Sequence, residues 1–338
     1  MAMLQRTLAK RLNVSQMTVS RALRGESGIS EETRSRILEA ARLSGIALPP
    51  SRKLAAGKDL LHAICTLTPD RDGKNTDSPF HARLRDGLRR GARECASEVV
   101  SCLEPTGVWP LVVARSQVDG VVIVRGAEHA LLPEAPCPMP QVYIFRGPSN
   151  ADVVSVDNFG GGLQLGEHLA AKGHRRVAFI GPETRIARER LAGVRTGLEL
   201  AGAACPSDLT QLKVNAGGQS PIHIDDLLAG ETRPQVLRQR FTAIAAYNDW
   251  FAVHAIRRLG ELGLRVPDDI SVTGFDHAIP QWYDGPKLTT CAIPVEELGA
   301  EAVRLIYWRI EHPNAVRRTL TLETEWVEGD TVATVPKD

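Results

Sequence analysis

No stretch of this chain is apolar for long enough to cross a membrane, and its first residues lack the hydrophobic region of a signal peptide. A cytoplasmic protein is the expectation. Cys65, Cys95, Cys102, Cys137, Cys205 and Cys291 include no C-x-x-C pair. That spacing argues against a metal cluster and leaves reduced thiols as the ordinary reading in a cytosolic chain. The signatures of several enzyme classes are missing as well. Gly160-Gly161-Gly162 precedes a helix, but G-x-G-x-x-G, the P-loop and the G-x-S-x-G elbow are absent. His223 with Asp225 and Asp226 is one isolated polar cluster, the usual look of a solvated helix start. Neither an enzyme nor a cofactor or metal site is therefore expected.

An excess of either charge is lacking too, with 41 Lys and Arg against 40 Asp and Glu. The balance is uneven along the chain. Residues 1–58 hold 11 basic against 4 acidic side chains, and residues 59–338 hold 30 against 36. A cationic head on an acidic body is the electrostatic footprint of a polyanion binder. At 338 residues the chain is also too long for one ordinary domain.

The head reads LAKRLNVSQMTVSRALRGESGISEETRSRILEAARLS from Leu8 to Ser44. Leu8 with Leu12 and Val19 with Leu23 share helix faces at i, i+4. Asn13 suits the tight turn between them, and Ser15 stands where an N-cap belongs. Ser30 opens a third helix whose first turn carries Glu31 and Glu32. This spells a helix-turn-helix. Gln16, Met17, Thr18, Ser20, Arg21 and Arg24 face away from the apolar stripe of the second helix. Amide, hydroxyl and guanidinium groups are what base edges and phosphates require. Pro49-Pro50 closes the head, and SRKLAAG (51–57) is too short to hold as an isolated helix.

From Leu60 onward apolar runs alternate with amphipathic stretches. HAICTL, EVVSC, DGVVIV and QVYIF form one strand series, and VAFIG, LTQLKV, AIAAY and ISVTGF a second. Helices are predicted over 80–96, 158–172, 187–202, 222–230, 249–263 and 295–312, with TLTLETEW as a last strand. Such β-α-β alternation means parallel sheets covered by helices on both faces. No heptad pattern of a coiled-coil tail follows before Asp338.

The chain at this point resembles the LacI/GalR family of transcriptional regulators, nearly end to end. The head carries the resemblance at LAKRLNVSQMTVSRALRG, GISEETRSRILEAARLSG and KLAAGK. The body carries it at SVDNFGGGLQLGEHLAAKGHRRVAFIGP, ARERLAGVRTGLELAG, AAYNDWFAVHAIRRLGELGLRVPDDISVTGFDH and PKLTTCAIPVEELGAEAV. The resemblance implies an all-α helix-turn-helix domain (1–48), a hinge (49–58) and a bilobed, periplasmic-binding-protein-like α/β core with two doubly wound parallel sheets (59–338). It places the first lobe at 59–156 and 287–315 and the second at 157–286 and 316–338. The chain then crosses between lobes near Val156–Asn158, Asp284–Leu288 and Pro313–Arg318.

The same resemblance assigns roles. A homodimeric repressor is implied, bound to a near-palindromic operator in double-stranded DNA and controlled by a small-molecule effector of carbohydrate-like kind between the lobes. Gln16, Met17 and Arg21 match base-reading positions; Arg21 suits guanine, Gln16 adenine and Met17 a thymine methyl. Ser15, Thr18, Ser20, Arg24, Ser30 and Thr33 are expected at phosphates. Leu54 takes the position of a minor-groove wedge. Arg188, Asn248 and Asp276 fall at effector positions, and Asp249 is read as a helix cap. Ser78-Pro79-Phe80 resembles the family's N-P-F segment, so Phe80 either stacks on ligand or fills the core, and Ser78 adjoins it. Phe145-Arg146 stands where many sugar-binding members carry Asp, and Arg146 would favour an anionic ligand. Trp282 and Tyr283 line the cleft mouth or pack the core. Arg21→Ala is expected to cost roughly 1–3 kcal/mol of operator binding and to relax sequence preference, measured by titrating the variant against matched and mismatched duplexes.

Overall fold

The computed structural model describes, in the head, residues 9, 12, 14–23, 30, 33, 36, 37 and 40. In the body it describes 63–68, 79–103, 109–124, 137, 139–149, 151–213 and 223–336. The hinge, and with it Leu54, lies outside the described residues, as do Arg24 and Ser78.

In the head, Ala9 and Leu12 are helical, α1 spans Gln16–Leu23, and Thr33, Arg36, Ile37 and Ala40 lie in a further helix. Ser15 caps α1 as its position predicts, accepting the Thr18 N–H at 2.9 Å. Ser30 does the same for Thr33 at 3.3 Å. Ala9, Val19, Ala22, Ile37 and Ala40 are buried together, with Leu12 and Val14 packed against them. Three of these five buried residues are alanines, which keeps the cluster small.

The first lobe is built from β1 (Ala63–Thr68), α2 (Pro79–Glu94), β2 (Glu98–Leu103), α3 (Leu111–Ala114), β3 (Gly120–Val124), β4 (Gln141–Ile144) and β5 (Asp152–Val156). The second contains α4 (Asn158–Ala171), β6 (Val177–Pro182), α5 (Arg185–Leu200), β7 (Thr210–Lys213), α6 (His223–Leu228), α7 (Pro234–Arg240), β8 (Ala243–Ala246), α8 (Asp249–Glu261) and β9 (Ser271–Thr273). The chain continues through β10 (Thr290–Ala292), α9 (Val295–Glu311), β11 (Thr319–Leu322) and β12 (Glu325–Val327). One sheet has the order β11-β5-β4-β3-β1-β2 and the other β7-β6-β8-β9. Every pairing within these two sheets is parallel. Strand order reverses beside β1 in the first and beside β6 in the second, the place where open α/β sheets form a crevice.

The strand β5 was not evident in the sequence. Its burial alternates along DVVSV, unlike the fully buried GVVIV and VAFIGP runs. The larger correction concerns TLTLETEW. It is two strands, not one, and its first half lies in the first lobe: Thr319–Leu322 pairs with Val153–Val156. Electrostatics explains this. Asp152 is fully buried and takes both arms of Arg309, at 2.6 and 2.8 Å, while the Arg318 N–H donates to it at 2.9 Å. Those bonds draw the chain after α9 back onto β5. The last crossing therefore falls at Glu323–Thr324 rather than Pro313–Arg318, and β12 then pairs antiparallel with β10. The middle crossing is likewise later than Asp284–Leu288, because Thr289 still bridges Thr273 of the second sheet.

Two helix pairs touch backbone to backbone. A Cβ on Gly162 of α4 would stand 2.2 Å from the Arg190 carbonyl oxygen of α5, and one on Gly87 of α2 would stand 2.0 Å from that of Glu296 on α9. Side chains larger than hydrogen would push each pair apart.

His174 ties the end of α4 to two other segments. Its Nδ1 lies 2.6 Å from the Thr242 hydroxyl and its Nε2 3.1 Å from the Ala333 carbonyl. Burial pushes its pKa down to about 4. The unfolded chain takes up a proton near pH 6.5, which the native imidazole refuses until about pH 4. The stability this site contributes is thus complete above pH 6.5 and falls by up to about 1.4 kcal/mol per pH unit towards pH 4. Urea titrations of wild type and His174→Gln across that window should show a flatter slope for the variant.

Candidate functional site

On α1, Val19 and Ala22 turn inward and leave Gln16, Met17, Ser20 and Arg21 on the other side. Met17 is 64% exposed, an apolar side chain offered to solvent, and Arg21 is exposed beside it one turn on. Thr18 is partly exposed, with its hydroxyl 2.8 Å from that of Ser15. Ser30 is exposed and Thr33 partly so. The described side chains predicted to read bases thus share one helix, held by a cap at its N-terminus. That helix end also presents N–H groups and the positive end of a helix dipole, features that suit a phosphate.

The second site is organised around one buried cation. Arg190, on α5, is 3% exposed. Its Nε donates to Asn158 Oδ1 at 3.0 Å, its Nη1 to the Tyr247 carbonyl at 2.6 Å, and its Nη2 to Asp276 Oδ1 at 2.8 Å. The guanidinium carbon lies 3.8 Å from the ring centre of Phe275 and 4.9 Å from that of Tyr247. Each partner comes from the carboxyl end of a strand: Asn158 after β5, Tyr247 after β8, and Phe275 with Asp276 after β9. The fold thereby gathers three segments remote in sequence onto one side chain.

Asp276 is held in a left-handed backbone conformation, φ +94°, with His277 following at +50°. Non-glycine residues adopt that region at a cost and are most often found where function demands it. Burial raises the Asp276 pKa, with Arg190 pulling the other way, and Asn248 also hydrogen-bonds to it. Asn248, not Asp249, caps α8: its Oδ1 accepts the Phe251 N–H at 3.1 Å. Asp249 turns inward, 1% exposed, and accepts from the Thr290 hydroxyl at 2.6 Å and the Ala278 N–H at 2.5 Å. Burial, reinforced by the charge of Asp276, pushes its pKa up to about 8.

Arg188 does not belong to this constellation. It points outward, its side chain 67% exposed, and pairs with Glu183 through an Nε–Oε1 contact of 2.7 Å. Two helical residues rotate a side chain by about 200°, so the second Arg of ARER faces inward where the first cannot. The signal was in the sequence: Ala187, Leu191, Val194 and Leu198 form the apolar stripe of this helix, and Arg190 falls inside it.

From the first lobe, Phe80 opens α2 and its ring centre lies 5.8 Å from that of Phe145, at the end of β4. Phe145 also has a left-handed backbone, φ +71°. Both pack against the main core cluster while remaining partly exposed. Arg146 is exposed. Trp282 is 47% exposed and packs edge-on against Trp250, 5.9 Å away, while Tyr283 packs against the second-lobe core. Among the described residues no group of three or more His, Cys, Asp or Glu is placed to hold a metal, and no helix is long and apolar enough to cross a membrane.

Known proteins share both halves of this arrangement. Residues 7–45 match the model for bacterial regulatory proteins of the lacI family, and residues 167–332 match that of a periplasmic binding protein-like domain. The head is thus similar to the regulatory domain of the lacI family and the body to a periplasmic binding protein-like domain. The transcriptional regulator DegA of Bacillus subtilis is 29% identical over 316 residues, covering 88% of each protein. The transcriptional repressor PurR of Mannheimia succiniciproducens is 27% identical over 336 residues, covering 95% of this chain and 96% of that one. The solved complex of the regulator CelR with cellobiose is 25% identical, with a TM-score of 0.64 over 97% of this chain and 99% of that one.

Joined in one chain, these halves make it a DNA-binding, effector-controlled transcriptional regulator rather than an enzyme. Asn158 and Arg190 are the residues of its buried cluster that motif reading overlooked. Loss of Arg188 should matter little, because an exposed pair contributes about 0–1 kcal/mol. Arg190→Gln leaves Asp276 buried without its cation, a change that costs about 3–5 kcal/mol. Denaturant titrations of Arg188→Ala and Arg190→Gln should separate by that margin; equal losses would remove Arg190 from its central place.

Proposed function

We propose that the regulator is a homodimeric repressor in the cytoplasm, on the nucleoid, that grips a polyhydroxylated, carbohydrate-like effector between its lobes. The buried Arg190–Asp276 pair at the strand ends carries this reading. Asp276 and Asn248 would supply polar atoms for adjacent hydroxyls, which charge-assisted hydrogen bonds hold well. The Phe80–Phe145 pair supplies an apolar wall of the kind that covers a sugar ring face. The solved complex of CelR with cellobiose supports the same ligand class for this chain.

On DNA, the paired α1 helices would enter successive major grooves, Gln16, Met17 and Arg21 at base edges and Ser15, Thr18, Ser20, Arg24, Ser30 and Thr33 at phosphates. Two-fold symmetry of the dimer then demands an inverted-repeat operator. Leu54 is assigned the minor-groove wedge. Effector binding changes the angle between lobes and with it the spacing of the two hinges.

A thermal-shift screen of neutral sugars, sugar acids, nucleosides and phosphorylated metabolites tests the effector class. A true ligand at one hundred times its Kd adds about 2.7 kcal/mol to stability. Stabilisation by neutral sugars is expected; a response confined to anions would shift the weight to Arg146. Selection of bound duplexes from a random pool should return an inverted repeat, and the absence of any symmetric enrichment would overturn the operator reading.

A further inference from the structure

One guanidinium spans the two lobes. Arg83 lies on α2, one turn after Phe80, and its side chain is one-third exposed. Its Nε and Nη2 fork onto the Glu296 carboxylate in the first turn of α9, at 2.7 and 2.9 Å. Its Nη1 points the other way and donates to the His277 carbonyl of the second lobe at 3.1 Å. His277 is the residue after Asp276, inside the left-handed pair that presents that carboxylate to Arg190. On the first-lobe side, Glu296 sits where α2 and α9 touch, its carbonyl oxygen filling the space that a side chain at Gly87 would need.

We propose that Arg83 is an interlobe latch, a positioning residue that ties the loop carrying Asp276 to the α2–α9 pair. A planar fork suits this task, since two arms fix it to one carboxylate and leave a third donor aimed across the gap. The interlobe arm is a single hydrogen bond at a solvated site, weak enough to break when the lobes move apart. Displacement of the Asp276 loop by a ligand is thereby felt at the start of α9 through one side chain. The regulatory meaning of the latch rests on the effector reading above, but its existence does not.

Hydrogen-exchange mass spectrometry of the full-length, ligand-free chain tests it. Arg83→Ala should speed exchange in peptides covering 274–280 by roughly three- to tenfold, with β6 and β8 unchanged. Arg83→Lys should restore only part of the protection, because a single ammonium nitrogen replaces the three separate nitrogens with which Arg83 reaches Glu296 and the His277 carbonyl. If 274–280 exchanges at the wild-type rate in Arg83→Ala while residues 295–299 alone loosen, Arg83 is a first-lobe clip and the latch is refuted. Acceleration spread through β6 and β8 refutes it equally, as loss of overall stability. Should the alanine variant fail to fold, Arg83→Gln is subject to the same two criteria. A thermal-shift screen without any hit would remove the effector reading and leave the exchange result standing.

Discussion

A charged guanidinium at the centre of a protein is tolerable only when every direction around it is answered. Taking such a group out of water costs several kcal/mol, and the attraction of one carboxylate repays that only with good geometry and further hydrogen bonds. Arg190 has all of these: an amide oxygen on one edge, a backbone carbonyl on another, Asp276 on the third, and aromatic rings near its faces. None of the partners is local. Their convergence requires α4 and α5 to lie almost backbone on backbone, which Gly162 permits. It also requires β8 and β9, neighbours in one parallel sheet, to end side by side, and the chain leaving β5 of the other sheet to bring Asn158 to the same place. The site is a product of the whole second lobe and its crossings, not of a motif.

What the chain revealed in advance follows from how local each signal is. Helix caps at Ser15 and Ser30 depend on three or four consecutive residues and were legible. So were the buried strands, because short unbroken apolar runs between turns suit a parallel sheet covered on both faces. Strand β5 escaped because its alternating pattern is short, and the partition of TLTLETEW escaped because it is decided by Asp152, more than 150 residues upstream. Motif matching chose Arg188, which lies on the outer face of α5, and passed over the buried Arg190 two residues on. The spacing of Ala187, Leu191 and Val194, read as a wheel, would have chosen Arg190. No linear signal brings Asn158 to the same point; only the packing of α4 on α5 does.

The head and the body solve opposite problems. Among its described residues the head packs Ala9, Val19, Ala22, Ile37 and Ala40 together and leaves Met17 and Arg21 in solvent. The body buries much and spends that stability on a costly charge and on the left-handed residues Asp276, His277 and Phe145 around its cleft. Backbone strain of this kind persists only where surrounding structure over-determines it.

The partition of the last strands has a consequence for how the lobes can move. Thr319–Leu322 belongs to one sheet and Glu325–Val327 to the antiparallel ribbon with β10, leaving Glu323 and Thr324 as the whole connection. Two residues have no slack to take up translation, so the lobes can rotate about this joint but cannot slide past one another. Lengthening or shortening it by one residue would throw one strand or the other out of register, turning its side chains over. The tail of the molecule is thus an axle, and its length is as constrained as that of any core element.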